Sequence, residues 1–249
     1  MRAIAVIQHE EHQGPGFLLN CLHDLGLQTR LFRPDLGDTL PTQARDFAGL
    51  VVLGSEHSVH DEIAWIAAER ALLADALTHE VPVLAHCFGA QQLSLAAGGR
   101  VTRNTWPNIG WSSVWVTPQS RPLFGGAGRV DVFNWHYDTF EIPRGAHRTL
   151  FGPHCLNKGF ALGPHLAFQC HLEVTALGIR QWCEAGSLEL QQARGPAVQS
   201  PRDLLSELPQ RTARLHSLAR RVYQHWAQGL SRPPRMVVPA VPRAWQYAI

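Results

Sequence analysis

Apolar runs of β-forming residues recur along the chain at 3–7, 49–53, 81–85, 113–117 and 130–133, with a further group over 160–169. Between the first three lie segments 15–25 and 62–77, whose apolar residues return at helical spacing. A strand covered on both faces reads as a continuous apolar run, so this alternation predicts an α/β fold with a mostly parallel central sheet and helices on both faces. Residues 174–183 predict another helix. Over 201–228, Leu204, Leu208, Leu215, Leu218, Val222 and Trp226 fall at helix-like intervals, giving one apolar face to pack on the domain. The tail 231–249 is rich in Pro, Val and Arg; it reads as extended, suited to covering a neighbouring subunit in a homo-oligomer. The expected organisation is an α/β domain over 1–200, followed by a C-terminal helix and Pro-rich tail over 201–249 packed on that domain.

Composition narrows the function classes. A net charge of +2 over 249 residues, with no basic run interleaved with aromatics, does not indicate nucleic acid. Five cysteines, an odd number at scattered positions, do not read as a disulfide framework; a reactive thiol suits a reducing compartment, so the cytoplasm is expected. The N-terminal apolar run is too short for a signal peptide, and no stretch approaches a membrane span. With no phosphate-binding loop and no complete dinucleotide fingerprint, no cofactor is expected. Two clusters, His9-Glu10-Glu11-His12 and His57, His60, Asp61, lack metal-site spacings and read as loops in water, so no metal is expected.

Candidate chemistry begins in VPVLAHCFGAQQ, where a strand ending at Ala85 and His86 meets a helix beginning near Gly89. Cys87 at that turn is held clear of the sheet and faces a helix N-terminus, whose free N–H groups favour a thiolate and can stabilise an oxyanion. Gly89 is read as keeping space where reactant and backbone meet. A nucleophilic thiol needs a base and a group to orient it. HLAFQCHLEVT carries His171 and Glu173 two apart, on one face if the run is extended.

These segments resemble the class I glutamine amidotransferases, over about residues 1–185. The family's C-x-G-x-Q pattern is matched by Cys87, Gly89 and Gln91, and its H-P-E by His171, Leu172 and Glu173 with the proline replaced. WHYDTF, from Trp135 to Phe140, is similar to the W-H-G-D-T-F of GMP synthase glutaminase domains, and VIQHEEHQGPG to their first strand and loop. The resemblance implies a flavodoxin-like sheet and the triad Cys87, His171 and Glu173. It further implies oxyanion donors at the amides of Phe88 and Ser55, and glutamine held by Gly54, Gln91, His136, Tyr137 and Asp138. Where relatives read G-G-P this chain reads Gly54, Ser55, Glu56. If the active loop needs positive φ, Ser55 is strained, which predicts a low basal rate that Ser55→Gly raises. His86, Ala85, Tyr137 and Lys158 also depart from the family pattern.

The reading expected from these residues is hydrolysis of the glutamine side-chain amide through a γ-glutamyl thioester, with ammonia passed to an acceptor or a synthetase partner. Two alternatives stand beside it: hydrolysis of other γ-glutamyl compounds or peptides by the same triad, and a catalytically silent binding or regulatory module of the same fold.

Overall fold

The computed structural model describes residues 2–230, so the 231–249 tail and its expected extended form lie outside the described residues. In the first part of the chain strands and helices alternate: β1 (Ile4–Ile7), α1 (Gly16–Asp24), β2 (Thr29–Phe32), β3 (Gly49–Val52), α2 (Ala64–Thr78), β4 (Val83–His86) and α3 (Phe88–Ala96). A long hairpin of β5 (Val101–Val116) and β6 (Arg129–Phe140) follows, then β7 (His147–Phe151), β8 (Gly159–Leu162) and β9 (His165–Phe168). The described chain closes with α4 (Ala176–Ala185), α5 (Ser187–Gln192), α6 (Pro201–Leu205) and α7 (Leu208–Gly229).

These strands form one sheet in the order β2-β1-β3-β4-β9-β8-β7-β5-β6. Pairing is parallel from β2 to β9 and antiparallel from β9 to β6, so the sheet is mixed, not mostly parallel as expected. The reason is local: β8 and β9 are joined by a two-residue turn at Gly163 (φ 55°), and only antiparallel neighbours can be joined so tightly. Side chains of β1 alternate between two cores. Ile4 and Val6 share one core with Leu18 and Leu22 of α1 and Leu215, Val222 and Trp226 of α7, whereas Ala5 and Ile7 belong to the core on the α2 and α3 side.

Other differences follow from exposure. β2 has three exposed residues of four and presents no apolar run. Runs 113–117 and 130–133 are only parts of β5 and β6, whose remaining lengths mix buried and exposed positions. The 201–228 stripe is two helices, broken where Glu207 takes φ 50°. Its apolar face nevertheless packs inward: Leu204, Leu208, Leu215, Val222 and Trp226 are buried. A Cβ on Gly49 would lie 2.5 Å from Leu230 Cδ2 and 3.0 Å from Trp226 Cζ2, so the bare glycine admits the end of α7 against β3. Among the described residues no helix is long and apolar enough to cross a membrane.

Candidate active site

Cys87 sits alone between β4 and α3, with φ 48° and ψ −110°. A side chain at positive φ costs about 1–3 kcal/mol and persists only when its surroundings hold it. Here Cys87 N–H donates to Phe168 O at 2.8 Å and Cys87 O accepts from Gln91 N–H at 3.0 Å, pinning the turn to β9 and to its own helix. Gly89 N–H donates to Leu53 O at 3.1 Å. A Cβ there would lie 2.4 Å from Val52 O, so this glycine lets α3 close on β3 and is not a clearance for the reactant, which corrects the sequence reading. Phe88 occupies the first helical position, where its N–H has no intrahelical acceptor.

His171 and Glu173 lie beyond the end of β9, not within a strand; an isolated bridge from His171 to Phe133 fixes the segment instead. His171 Nδ1 stands 2.6 Å from Glu173 Oε1, and His171 and Cys87 line the same cleft, where Cys87 Sγ lies 3.8 Å from Trp135 O and accepts from Gln169 Nε2 at 3.6 Å. Burial opposes charge on the ring, yet the Glu173 carboxylate and the Cys87 sulfur outweigh it and raise His171 to about 10. Burial works against the Glu173 carboxylate too, but the nearby histidines hold it below its ordinary range. The arrangement favours a charged imidazolium between sulfur and carboxylate. Trp182 of α4 stands edge-on to the His171 ring at 4.8 Å.

This group opens into a cleft of about 870 Å³ lined by Ser55, Cys87, Phe88, Gln91, His136, Tyr137, Asp138 and His171 among the expected residues. Gly54 is not among the lining residues but lies directly behind Cys87 and His171: a Cβ there would meet His171 Cε1 at 2.9 Å and Cys87 Cβ at 3.7 Å. Gln91 Nε2 is engaged with Asp138 O at 3.4 Å and Gln169 Oε1 at 3.3 Å. His136 has both ring nitrogens committed: Nδ1 donates to Asp138 O at 2.9 Å and Nε2 accepts from Lys158 Nζ at 2.8 Å. It is therefore a buried prop under the Asp138 turn, not a group free to hydrogen-bond glutamine. Burial, then the Lys158 charge, keeps it neutral. Tyr137 lies under the Arg103 guanidinium at 4.3 Å, and Arg103 Nη1 reaches Asp138 Oδ1 at 3.5 Å.

Ser55 has no positive φ, so the strain argument against it lapses. Its hydroxyl donates to Glu10 Oε1 at 2.7 Å, and that oxygen also accepts from Glu56 N–H at 2.8 Å. The two histidine-acid clusters have separate partners: His9 joins Glu69 at 2.6 Å, His12 joins Glu56 at 2.7 Å, and His57 stands 3.4 Å from Asp61.

Sequence reasoning missed several residues at the site. His86 is buried, with Nε2 3.7 Å from Glu173 Oε2 and 3.2 Å from the Tyr223 hydroxyl. Lys158 is wholly buried and donates to Asn108, Asn134 and His136. Trp182, Leu188, Glu189 and Arg194 complete the cleft. Only the departures at His86 and Lys158 gave any signal, because the rest arrive from distant segments.

The family model for glutamine amidotransferase class-I matches residues 16–178. A glutamine amidotransferase structure from Methylobacillus flagellatus is 36% identical and superposes with a TM-score of 0.91, covering 95% of this chain and 98% of that one. A Salmonella typhimurium protein described as glutamine amidotransferase-like is 27% identical over 198 residues, 76% of this chain and 83% of its own length. A glutamine-hydrolysing GMP synthase subunit from Thermoplasma acidophilum is 28% identical over 157 residues, 61% of this chain and 75% of that protein. A family match across well over half its length, meeting a thiol, an imidazole and a carboxylate already in register at one cleft, shows that the chain belongs to the class I glutamine amidotransferases, enzymes that hydrolyse the glutamine side-chain amide with a cysteine nucleophile.

Proposed function

We propose that Cys87 is the nucleophile, His171 the proton carrier and Glu173 its orienting partner in glutamine hydrolysis. The Cys87 thiolate attacks the γ-carboxamide carbon, and the His171 imidazolium gives its proton to the departing ammonia. His171, now neutral, takes a proton from water, which attacks the γ-glutamyl thioester and releases glutamate as the thiolate re-forms. Both tetrahedral states carry an oxyanion, for which the Phe88 and Ser55 amides are the donors; each well-placed donor lowers the barrier by roughly 2.7–4 kcal/mol. Gln91 and Asp138 are the residues left to orient the amino-acid end. The observation that carries this reading is the meeting of the strained Cys87 turn and the His171–Glu173 pair at one cleft.

The ammonia goes to an acceptor supplied by another protein, and the similarity to a chain named as part of a GMP synthase supports a synthetase partner. Thiolate chemistry fits a reducing cytoplasm. The test is mass spectrometry after a glutamine-mimicking electrophile, with ammonia release followed in parallel. A label on Cys87 and loss of release in Cys87→Ala are expected; a label elsewhere, or release surviving in that variant, overturns the assignment.

One observation favours a second substrate. Much of one wall, Trp182, Leu188, Glu189 and Arg194, comes from beyond the family-matched 16–178, and the cleft of about 870 Å³ exceeds what glutamine fills. Comparing kcat/KM for γ-glutamyl dipeptides with that for glutamine decides it: a ratio above one favours the broader hydrolase.

A further inference from the structure

His9 and Glu69 are buried, fully enclosed, and no step of the proposed hydrolysis uses them. His9 follows β1, and Glu69 comes from the middle of α2. His9 Nε2 lies 2.6 Å from Glu69 Oε2, while His9 Nδ1 lies 2.9 Å from the carbonyl oxygen of Gly54. A carbonyl only accepts, so Nδ1 carries a proton. Nε2 faces a carboxylate, and the dyad is an imidazolium-carboxylate pair when that nitrogen is protonated as well. Burial resists the charge, but Glu69, the Gly54 carbonyl and Glu10 together raise the His9 pKa above its ordinary 6.5. The ring is clamped, stacked on Trp65 at 4.9 Å and edge-on to Phe88 at 5.0 Å. The charged groups around it are Glu69 on α2, Glu10 in its own loop and Asp35 beyond β2.

The bonded carbonyl belongs to a peptide unit of particular position. Gly54 O and Ser55 N–H are the two ends of one planar trans amide, pointing in opposite directions. The carbonyl end faces His9; Ser55, with Cys87 and Phe88, lines the cleft. Gly54 itself lies against the reacting pair, as the close approach of its missing Cβ to His171 and Cys87 indicates. Pulling electron density toward the oxygen makes the N–H at the other end a stronger donor, since hydrogen bonds in a chain polarise one another. Glu10, the next residue, holds the same loop by accepting from the Ser55 hydroxyl and the Glu56 amide.

We propose that the His9-Glu69 dyad is a second, buried acid-histidine relay that aims and polarises the Gly54–Ser55 peptide so that its N–H serves as an oxyanion donor. His9 is then a positioning residue, acting through the peptide and never touching substrate. The proposal rests on the assignment of Ser55 N–H as an oxyanion donor for Cys87 chemistry.

Two paired variants separate the role from simple packing. His9→Leu/Glu69→Leu removes the donor and both charges together, a swap that buried ion pairs often tolerate. His9→Asn/Glu69→Gln keeps an N–H at the Nδ1 position. Losing a whole oxyanion donor lowers kcat about 10²–10³-fold, so weakening one predicts roughly a tenfold fall for the leucine pair. KM for glutamine should stay within about twofold, and the Asn/Gln pair should recover much of kcat. The Ser55 amide proton, followed by NMR in 15N-labelled protein, should move upfield in the leucine pair and return in the Asn/Gln pair. A folded leucine pair with wild-type kcat, a loss confined to KM, or an unmoved Ser55 amide overturns the proposal. If the wild-type enzyme releases no ammonia from glutamine, the functional assignment fails, while the Ser55 amide shift still decides whether His9 acts on that peptide. Should the leucine pair not fold, the same shift read in Glu69→Gln alone decides it.

Discussion

At Cys87 the protein keeps a side chain where the backbone favours none. Replacing it with glycine removes the conflict at φ 48°, whereas alanine retains it. Cys87→Gly should therefore be more stable than Cys87→Ala by about 1 kcal/mol in denaturant melts, with both inactive. Equal stability would mean the turn carries no strain. Lys158 supports the opposite wall without any carboxylate: its ammonium donates to Asn108 Oδ1, Asn134 Oδ1 and His136 Nε2 at 2.7–2.8 Å. Lys158→Met leaves three buried acceptors unanswered, at about 1–3 kcal/mol each, so a loss of at least about 3 kcal/mol is expected on chemical denaturation. Ser55→Gly, expected from the sequence to speed turnover, should instead slow it a few-fold, because it removes the hydroxyl that ties the loop to Glu10. A faster Ser55→Gly enzyme would restore the strain argument.

Among the elements, α3 and α7 make the site by approaching closely from opposite faces. α3 reaches β3 only because Gly89 is bare, and α7 reaches it because Gly49 is. α7 also brings Tyr223 to within 3.2 Å of His86, at the end of β4 beside Cys87. Trp226→Ala should cost about 3–5 kcal/mol in the thermal or chemical unfolding of the whole domain, since it empties a buried site between α7 and β3. A separate early transition instead would mean α7 is an independent appendage. The 3.6-residue period of α7 and the continuous runs of β1, β3 and β4 were legible because burial there is one-sided or complete. β2 and the outer half of β5 were not legible, since strands with exposed faces carry no apolar signal.

Across the protein as a whole, pH enters through two histidines buried as cations, His171 and His9, and through His86, His136 and His165, which burial holds neutral. His171, raised to about 10, and His9, raised above 6.5, both bind protons more tightly folded than unfolded. Their contribution to stability is complete below pH 6.5 and is lost as pH rises through their folded values; that of Glu173, whose pKa is lowered from 4.5, is complete above 4.5 and lost in acid. The histidines held neutral take up protons more readily in the unfolded chain, so the melting temperature should rise from about pH 5 to about 6.5 and then decline toward pH 10, and turnover should fall on the same alkaline limb as His171 loses the proton it gives to ammonia. A melting temperature that climbs between pH 7 and 10 would exclude the charged relay. The parallel half of the sheet, the strand-Cys-helix turn and the residues proposed as the triad could all be read before folding, because each is written in short-range periodicity or in motifs a few residues long. That His136 is a prop, that Gly89 serves packing, and that His9 and Glu69 meet behind the Gly54–Ser55 peptide became visible only in the folded chain. Those roles depend on which atoms of distant segments come within hydrogen-bond or van der Waals reach in a closed interior, and one-dimensional spacing does not encode that distance.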